Sequence, residues 1–386
     1  MMNKFLLSCC LIVSCAIANA QFSVKLVVSD VATKKLDDIY VSGTFNSWNA
    51  KDEKYKLKPF GGSRKGIVLK DIPAGNYAFK FTRGSMDKVE CMADGRDIPD
   101  RQIDVNADLS LDISIAGWKD DYPEKPKRYT ASPQVKIVDT AFKIPQLNRT
   151  RRIWIYLPKG YATSGRTYPV LYMQDGQNLF NEQTAAFGEW GLDECLDTLQ
   201  PLLHKECIIV GIDHGGDKRL NEYCPYDFST KSGFATPDQK GEGMQYAEFL
   251  VKTLKPFIDT KYRTKKGRDY TYIAGSSMGG LISAYCILQY PEVFGAAGIF
   301  SPSFWIAPKI YELAEKKESN LLCSYFFYAG DKESNTMISD MDKFYDIMGK
   351  KNNYERVKKI NPLGEHREAY WQAMFPTFYN WLIRKE

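Results

Sequence analysis

The second half of the chain repeats a pattern in which short apolar runs alternate with longer amphipathic segments. The short runs are rich in β-branched and aromatic residues, which is typical of buried strands. They occupy residues 170–173, 208–212, 270–274, 297–300, 325–328 and 357–360. Segments with helical spacing of apolar residues follow them, among them 192–203, 244–257 and 280–288. This alternation predicts a mostly parallel sheet with helices on both faces.

The first part of the chain has a different pattern, in which short alternating runs are separated by turn residues. Several strands at such spacing predict a small all-β sandwich of the immunoglobulin-like kind. Between the two parts, residues 118–128 are charged, contain prolines and lack periodicity, which is typical of a linker. We therefore predict a leader at 1–20, a β-sandwich at 21–118, a linker at 119–132 and an α/β domain at 133–386.

The N-terminus has the pattern of an export signal. Lys4 precedes an apolar stretch at 5–16, and Ala18-Asn19-Ala20 matches a signal-peptidase cleavage site. We therefore expect a periplasmic or extracellular protein. Ile12-Val13-Ser14-Cys15 leaves a lipid-anchored protein as the alternative. The apolar stretch is too short to span a membrane, and no other segment is apolar enough.

Composition narrows the function classes. The 386 residues are 44% hydrophobic and 26% charged, which are ordinary values for a globular protein. A net charge of +5, spread along the chain, does not favour nucleic-acid binding. Histidines, cysteines and aspartates do not cluster at the spacing of metal ligands, so we expect no metal site and no cofactor.

One pentapeptide points to chemistry. Gly275-Ser276-Ser277-Met278-Gly279 lies between a predicted strand and a predicted helix. A strand, a tight G-x-S-x-G turn and a helix form the nucleophile elbow of α/β-hydrolases. The glycines let the turn close without a Cβ clash, and the helix N-terminus favours negative charge at the serine. The sequence therefore predicts an α/β-hydrolase fold with Ser277 as the nucleophile.

The base and the acid follow the nucleophile in this fold, in the order serine, acid, histidine. The chain has three histidines, and only His366 comes after Ser277. It lies between the last predicted strand and the last predicted helix, where a base must project to reach the serine. The acid is expected in the loop after the strand at 325–328, which contains Asp331 and Glu333. Spacing alone does not choose between these two carboxylates.

An oxyanion hole needs two backbone donors. The amide of Met278, directly after the nucleophile, is one candidate. The other is expected in the loop after the strand at 170–173. Gly176 lets the backbone of this loop turn toward the site, and the amide of Gln177 is the candidate donor.

At these positions the chain resembles the esterase D-like "putative esterase" family. The likeness covers about residues 135–386 and rests on the stretches 171–180, 275–280, 301–305 and 364–366 with Trp371. This family includes feruloyl and acetylxylan esterases of carbohydrate esterase family one and the enterochelin-type siderophore esterases. Its members place the acid at the fourth position of a G-x-x-D/E turn. The resemblance therefore implies Glu333 as the acid, with Asp331 as the alternative.

Together with the export signal, the resemblance implies a secreted serine carboxylester hydrolase that works through an acyl-enzyme without a cofactor. Its expected substrate is a feruloyl or acetyl ester on a plant polysaccharide or oligosaccharide. The aromatic residues expected near the pocket are Phe180, Tyr223, Phe304 and Trp305. A siderophore esterase would share every catalytic residue and is the alternative. The alternative of another class is a non-catalytic carbohydrate-binding protein, which would be expected to have a broken triad.

The first domain is similar to starch- and glycogen-binding β-sandwiches. The stretches 43–49 and 81–90 carry this likeness. Binding members often have an aromatic residue where this chain has Met86, because a flat ring stacks on a sugar face. A flexible thioether offers no such surface. We therefore expect the first domain to bind glucan weakly or not at all.

Overall fold

The structure, a computed structural model, describes residues 21–122, 126–229 and 238–385. The chain divides into two compact units, Met1–Pro126 and Lys127–Glu386. The predicted leader at 1–20, including the lipidation alternative at Cys15, lies outside the described residues. No helix within the described ranges is long and apolar enough to cross a membrane.

The first unit consists of β-strands joined by turns and short 3-10 helices. Its strands are β1 (Gln21–Val31), β2 (Tyr40–Gly43), β3 (Lys58–Pro59), β4 (Lys65–Pro73), β5 (Gly75–Thr82), β6 (Glu90–Cys91), β7 (Arg101–Val105), β8 (Leu109–Ile115) and β9 (Gly117–Trp118). They form sheets in the orders β3-β4-β1-β8, β2-β5-β7 and β6-β9. All pairs are antiparallel except β1 with β8.

One hydrophobic core joins the two larger sheets of this unit. Alternate residues of β1, including Val24 and Leu26, point into it, as do Phe79 and Phe81 of β5. The core and the sheet orders define an N-terminal β-sheet region. At its surface, the side chain of Met86 is 48% exposed. The weak glucan binding expected from this residue stays a prediction.

The second unit is built on one eight-stranded sheet in the order β10-β11-β13-β12-β14-β15-β16-β17. Its strands are β10 (Val135–Ile144), β11 (Arg149–Tyr156), β12 (Val170–Gln174), β13 (Ile208–Ile212), β14 (Thr271–Ser276), β15 (Ala296–Phe300), β16 (Cys323–Gly330) and β17 (Tyr354–Asn361). The pairs β10–β11 and β11–β13 are antiparallel, and all other pairs are parallel. The predicted α/β-hydrolase fold with a mostly parallel sheet is confirmed.

Helices cover this sheet and bury both of its faces. They are α1 (Leu192–Leu203), α2 (Arg219–Tyr223), α3 (Gly243–Phe249), α4 (Lys255–Lys261), α5 (Met278–Gln289), α6 (Lys309–Lys316), α7 (Met337–Gly349) and α8 (Glu368–Leu382), with a π-helix at Leu250–Leu254 between α3 and α4. Alternate strand residues enter two separate cores: Val170 and Tyr172 belong to one, and Leu171 and Met173 to the other. Because both faces are buried, the strands read as continuous apolar runs.

The parallel strands bring the predicted site residues to one edge of the sheet. Parallel strands end at the same edge, so the loops that follow β12, β14, β16 and β17 meet there. These loops contain, in chain order, Gln177, Ser277, Glu333 and His366. The order of the strands therefore assembles residues that lie up to 189 positions apart in the sequence (366 minus 177).

Candidate active site

Ser277 lies at the turn between β14 and α5 with φ of 58° and ψ of −121°. A non-glycine residue with positive φ is uncommon and stores backbone strain. The flanking glycines allow this turn because no larger residue fits. A Cβ on Gly275 would lie 2.7 Å from the carbonyl carbon of Gly279, and one on Gly279 would lie 3.0 Å from the Cβ of Gln174. The local geometry is that of a nucleophile elbow.

The loop after β16 places Glu333 against His366. Glu333 Oε2 lies 2.8 Å from His366 Nδ1, and the Glu333 side chain is fully buried while that of His366 is 37% exposed. Asp331 is exposed, and no hydrogen bond from its side chain to another described residue is formed. Only its backbone amide is engaged, by the carbonyl of Asn361. Of the two carboxylates, the structure brings Glu333 and not Asp331 to the histidine.

A chain of hydrogen bonds orients Glu333 through Oε1, the carboxylate oxygen that does not bind His366. Its Oε1 accepts hydrogen bonds from the Gly330 amide at 2.6 Å and the Ser301 hydroxyl at 2.7 Å. Ser301 in turn accepts a hydrogen bond from Trp371 Nε1 at 2.8 Å. The Trp371 ring also contacts the His366 ring edge-on, with centroids 5.1 Å apart. These contacts fix the positions of the Glu333 and His366 side chains. When Nδ1–H donates to the Glu333 carboxylate, Nε2 is free of a proton and is able to accept one, as the predicted role requires.

The backbones of the two loops are locked together. The amide of Lys332 donates to the carbonyl of Gly364, and that of Asp331 donates to the carbonyl of Asn361, both at 2.9 Å. Gly330 and Gly364 pack so closely that a Cβ on Gly330 would overlap the backbone of Gly364. Glycine is required at this close approach. The distance between the acid and the base is therefore set by backbone contacts as well as by side chains.

The hydroxyl of Ser277 has a partner that the sequence did not predict. Ser277 Oγ lies 3.1 Å from Ser303 Oγ. The two residues are also joined through the backbone, because the Ser303 amide donates to the Ser277 carbonyl at 3.1 Å. Between the described side chains of Ser277 and His366 no hydrogen bond is formed. In a resting enzyme such a bond is often long, and it tightens when substrate is bound.

The two amides predicted for the oxyanion hole have no acceptor within the described part of the chain. Met278 begins α5, so its amide precedes the first turn of the helix and is free of intrahelical bonds. Gln177 lies in the 3-10 turn that follows β12. The Thr184 hydroxyl holds this turn by donating to the Gln177 carbonyl at 2.6 Å. Both amides are thus free to donate to a developing oxyanion. Their role in an oxyanion hole stays a prediction.

A partly buried ion pair supports the loop that carries Gln177. Asp175 has a φ of 56°. Arg219 forms a bidentate ion pair with it, in which Nε donates to Oδ1 at 2.7 Å and Nη2 donates to Oδ2 at 2.9 Å. The Tyr223 hydroxyl accepts a hydrogen bond from the Asp175 amide at 3.2 Å. Burial lowers the pKa of Arg219, but the Asp175 carboxylate outweighs this effect and holds it above its ordinary value. Arg219 therefore stays charged and holds the strained turn in place.

Three of the four aromatic residues expected at the pocket lie in the hydrophobic core instead. The exposed fractions of Phe180, Tyr223 and Phe304 are 1%, 0% and 0%. Their rings belong to the two hydrophobic cores of the unit and have no exposed surface to offer a substrate. The expectation that these three rings contact the substrate is therefore corrected. Trp305 is 57% exposed and keeps its predicted role.

Two further exposed apolar residues lie in the segments that follow β12 and β17, and neither was predicted from the sequence. Leu363 is 73% exposed and lies three positions before His366, and Phe187 is 82% exposed. Phe187 adjoins Gly188, where a Cβ would meet the Cβ of Glu368 at 3.4 Å. Neither position belongs to a periodic pattern. Large apolar residues in predicted loops can be seen in the sequence, but they do not by themselves indicate a binding site.

Glu368 is a further carboxylate close in sequence to His366, the predicted base. It begins α8, two positions after His366, and is 8% exposed. Burial raises its pKa above the ordinary value, and the Asp175 carboxylate adds to the rise, while the hydrogen bond to its own backbone amide and the charges of His366 and Arg219 oppose it. No hydrogen bond from another described side chain reaches it.

The other histidines lie elsewhere in the fold. His204 ends α1 at the surface. His214 follows β13, and its amide donates to the side chain of Gln177 at 3.2 Å. His214 therefore contacts the predicted oxyanion loop, although its ring accepts a local hydrogen bond from the Gly216 amide.

One group of carboxylates in the described residues is close enough to share a cation. Oxygen atoms of Glu189, Asp193 and Glu194 lie within 4.8 Å of one another. Burial raises the pKa of Asp193 to about 7. Asp193 and Glu194 lie in the first turn of α1, where the helix dipole favours negative charge, but at Asp193 burial outweighs this effect. The catalytic arrangement uses none of these residues.

Comparison with known proteins agrees with this geometry. Residues 144–382 match the model of the family described as "Putative esterase", which is more than half of the chain. The chain belongs to this family. It is accordingly an esterase-family hydrolase with an α/β-hydrolase fold. The family resemblance drawn from the sequence motifs is confirmed.

Individual relatives match parts of the esterase. An uncharacterized protein of Bacillus subtilis, YbbA, is 33% identical over 156 residues, which are 40% of this chain and 58% of the relative. An endo-1,4-beta-xylanase/feruloyl esterase of Xylanibacter ruminicola is 28% identical over 186 residues, which are 47% of this chain and 22% of the relative. The matched stretch thus spans little more than half of the first relative and about a fifth of the second.

A solved structure shares the fold across most of the chain. The enterobactin esterase FES of Shigella flexneri superposes with a TM-score of 0.51 at 14% identity, covering 95% of this chain and 94% of that one. At this identity the likeness concerns the fold alone.

Proposed function

We propose that the protein is an exported serine carboxylester hydrolase that removes feruloyl or acetyl groups from plant polysaccharides or their oligosaccharides. The observation that carries the proposal is the acid–base pair Glu333–His366 at the sheet edge where the elbow presents Ser277. The amides of Met278 and Gln177, which have no acceptor among the described residues, accompany it. This set is what acyl transfer through a serine ester needs.

The first half-reaction forms the acyl-enzyme. Ser277 Oγ attacks the acyl carbonyl carbon while His366 Nε2 takes its proton, and the Glu333 carboxylate stabilises the resulting imidazolium. The carbonyl oxygen becomes an oxyanion against the amides of Met278 and Gln177. When the intermediate collapses, the bond to the sugar oxygen breaks and His366 returns the proton to that oxygen. The sugar leaves with its hydroxyl restored.

The second half-reaction releases the acid. Water attacks the acyl carbon and gives a proton to His366 Nε2. The bond from the acyl carbon to Ser277 Oγ then breaks, and the proton returns to Ser277. No metal or organic cofactor enters this scheme, because the charge changes fall on groups of the protein.

The substrate class is supported by the surface around the site and by one relative. Trp305, Leu363 and Phe187 give the catalytic loops large exposed apolar side chains. Such side chains suit an aromatic acyl group or the face of a sugar ring. The similar protein of Xylanibacter ruminicola is named an endo-1,4-beta-xylanase/feruloyl esterase. Export is proposed from the leader pattern at residues 1–20.

A side-by-side assay tests the proposal. The purified protein and a Ser277→Ala variant are given methyl ferulate, acetylated xylan and a catecholate trilactone in parallel. We expect the native protein to release ferulate or acetate and the variant to release neither. Opening of the trilactone alone would replace the carbohydrate ester with a siderophore ester. Equal, background-level release by both proteins from all three substrates would contradict an esterase function.

A further inference from the structure

Ser303 is the one described residue whose side chain hydrogen-bonds to the nucleophile. Its Oγ lies 3.1 Å from Ser277 Oγ, and its amide donates to the Ser277 carbonyl at 3.1 Å. The residue is 5% exposed, and its hydroxyl makes no other hydrogen bond to the described residues. The backbone contact fixes the distance between the two residues, so this is a fixed pairing of two hydroxyl groups.

The sheet order decides from which side Ser303 approaches. β14 ends at the nucleophile and lies between β12 and β15. Ser303 follows β15, whereas Gln177 of the predicted oxyanion hole follows β12. Beyond β15 come β16 and β17, whose loops carry Glu333 and His366. Ser303 therefore reaches Ser277 from the side of the catalytic base, opposite the oxyanion loop.

Acylation weakens the bond between the Ser303 hydroxyl and Ser277 Oγ. Either hydroxyl can be the donor in this bond. In the acyl-enzyme, Ser277 Oγ is an ester oxygen without a proton, so it can no longer donate to Ser303 and is only a weak acceptor for the Ser303 hydroxyl. A buried hydroxyl that loses its partner is destabilised unless another group replaces it. Hydrolysis needs a water molecule at the acyl carbon and within reach of His366 Nε2. Ser303 and His366 lie on the same side of Ser277, so a single water can satisfy both.

We propose that Ser303 changes partners during turnover: it holds Ser277 Oγ in the free enzyme and binds the hydrolytic water in the acyl-enzyme. The inference rests on the proposed serine esterase function. Ser303 itself neither gains nor loses a proton over the cycle. The water proton goes to His366, the new bond joins the water oxygen to the acyl carbon, and the bond that breaks releases Ser277 Oγ.

This role has a kinetic signature that a structural role lacks. Loss of the Ser303 hydroxyl slows deacylation and leaves acylation by an activated ester nearly unchanged. When deacylation limits turnover, kcat and KM fall together and kcat/KM stays constant. A residue that only oriented Ser277 for attack would lower kcat/KM. A residue that only supported the fold would lower the fraction of active protein.

Stopped-flow hydrolysis of p-nitrophenyl acetate by the full-length protein tests the proposal. The proteins compared are the native enzyme, Ser303→Ala, and Ser303→Thr, which keeps a hydroxyl. For Ser303→Ala we expect a burst of p-nitrophenolate close to one equivalent, at a rate within about twofold of native. The steady-state rate should then be lower by about tenfold, the size expected for one lost hydrogen bond. Ser303→Thr should recover most of this loss.

Other outcomes overturn the inference. A slower burst with lower kcat/KM in Ser303→Ala would assign Ser303 to the attack step. Unchanged steady-state turnover would show that the hydroxyl is not needed. Loss of active protein in both variants, seen as a small burst amplitude and a lower Tm, would make the role structural. If instead the native enzyme shows neither burst nor turnover, with this ester or with those in the parallel assay, the proposed function itself fails.

Discussion

Glu333 and His366 are joined by a hydrogen bond of 2.8 Å, although each follows a different strand of the sheet. The bond depends on a second contact, the close packing of Gly330 against Gly364 at the base of the two loops. The carboxylate is fully buried and holds two further donors, so its orientation is fixed before substrate arrives. Because the pair is fixed in this way, substitution of its members or of Ser277 should change activity in specific ways.

Replacement of the nucleophile should abolish turnover without unfolding the protein. Ser277→Ala removes the attacking oxygen, and losses for a triad nucleophile are of order ~10⁶ in kcat. The adjacent Ser276→Ala is the matched control, because it removes the same hydroxyl group from a neighbouring serine that is buried and makes no side-chain hydrogen bond to the described residues. Steady-state rates and melting curves of both variants provide the test. Activity of Ser277→Ala within about tenfold of native would show that another residue is the nucleophile.

The choice of acid is tested by a pair of neutral substitutions. Glu333→Gln should lower kcat by about 10²–10⁴, because the imidazolium loses its buried counter-charge. Asp331→Asn should change kcat little, because this side chain is exposed and lies outside the hydrogen-bonded pair. The comparison is made on one substrate at one pH. A larger loss in Asp331→Asn than in Glu333→Gln would transfer the role to Asp331.

Glu368 should make stability depend on pH in a defined direction. Burial raises its pKa in the folded protein, so the folded state binds this proton more tightly than the unfolded state. The resulting stabilisation is present below the unfolded pKa and is lost as the pH rises through the folded value. Glu368→Gln should therefore raise Tm relative to native above the folded pKa, and this gain should shrink toward acidic pH.

Melting temperatures at several pH values check this prediction, with the exposed Glu365→Gln as the control. Glu365→Gln should give a difference from native that varies less with pH. A Glu368→Gln variant that is destabilised most at high pH would contradict the sign. That result would mean that the ionised Glu368 carboxylate is stabilised in the folded protein by a partner such as Arg219.

The first domain is expected to bind glucan weakly or not at all. Met86 offers a flexible thioether where stacking needs a flat ring, and it is 48% exposed. Residues 21–118, expressed alone, should migrate through starch- or glycogen-containing gels as they do through plain gels. A clear retardation that is lost in Trp48→Ala would contradict the prediction and would assign sugar stacking to Trp48.

The sequence predicts the fold and the triad candidates well because both depend on patterns along the chain. The alternation of strands and helices specified a mostly parallel sheet, and chain order alone singled out His366. The choice between Asp331 and Glu333 needed either the family resemblance or the structure, because a spacing of two residues does not determine which carboxylate turns inward.

The substrate-facing side chains could not be predicted in the same way. Phe180 and Phe304 lie in the segments that follow β12 and β15 at the edge of the candidate site, yet both rings turn into the core. The side to which a loop residue points depends on packing against distant strands, which no local pattern encodes. The pairing of Ser303 with Ser277 is of the same kind, because it joins loop residues 26 positions apart that meet only where the ends of two adjacent strands come together in the folded sheet.

The central claim is that acyl transfer passes through Ser277, and trapping the acyl-enzyme tests it most directly. The protein is mixed with p-nitrophenyl acetate, quenched in acid during turnover, digested and analysed by mass spectrometry. We expect one acetyl group on the peptide that contains Ser277, with fragment ions assigning it to that residue, and none in Glu333- and His366-containing peptides. Acetylation that is confined to another residue, or that persists equally in Ser277→Ala, would contradict the account.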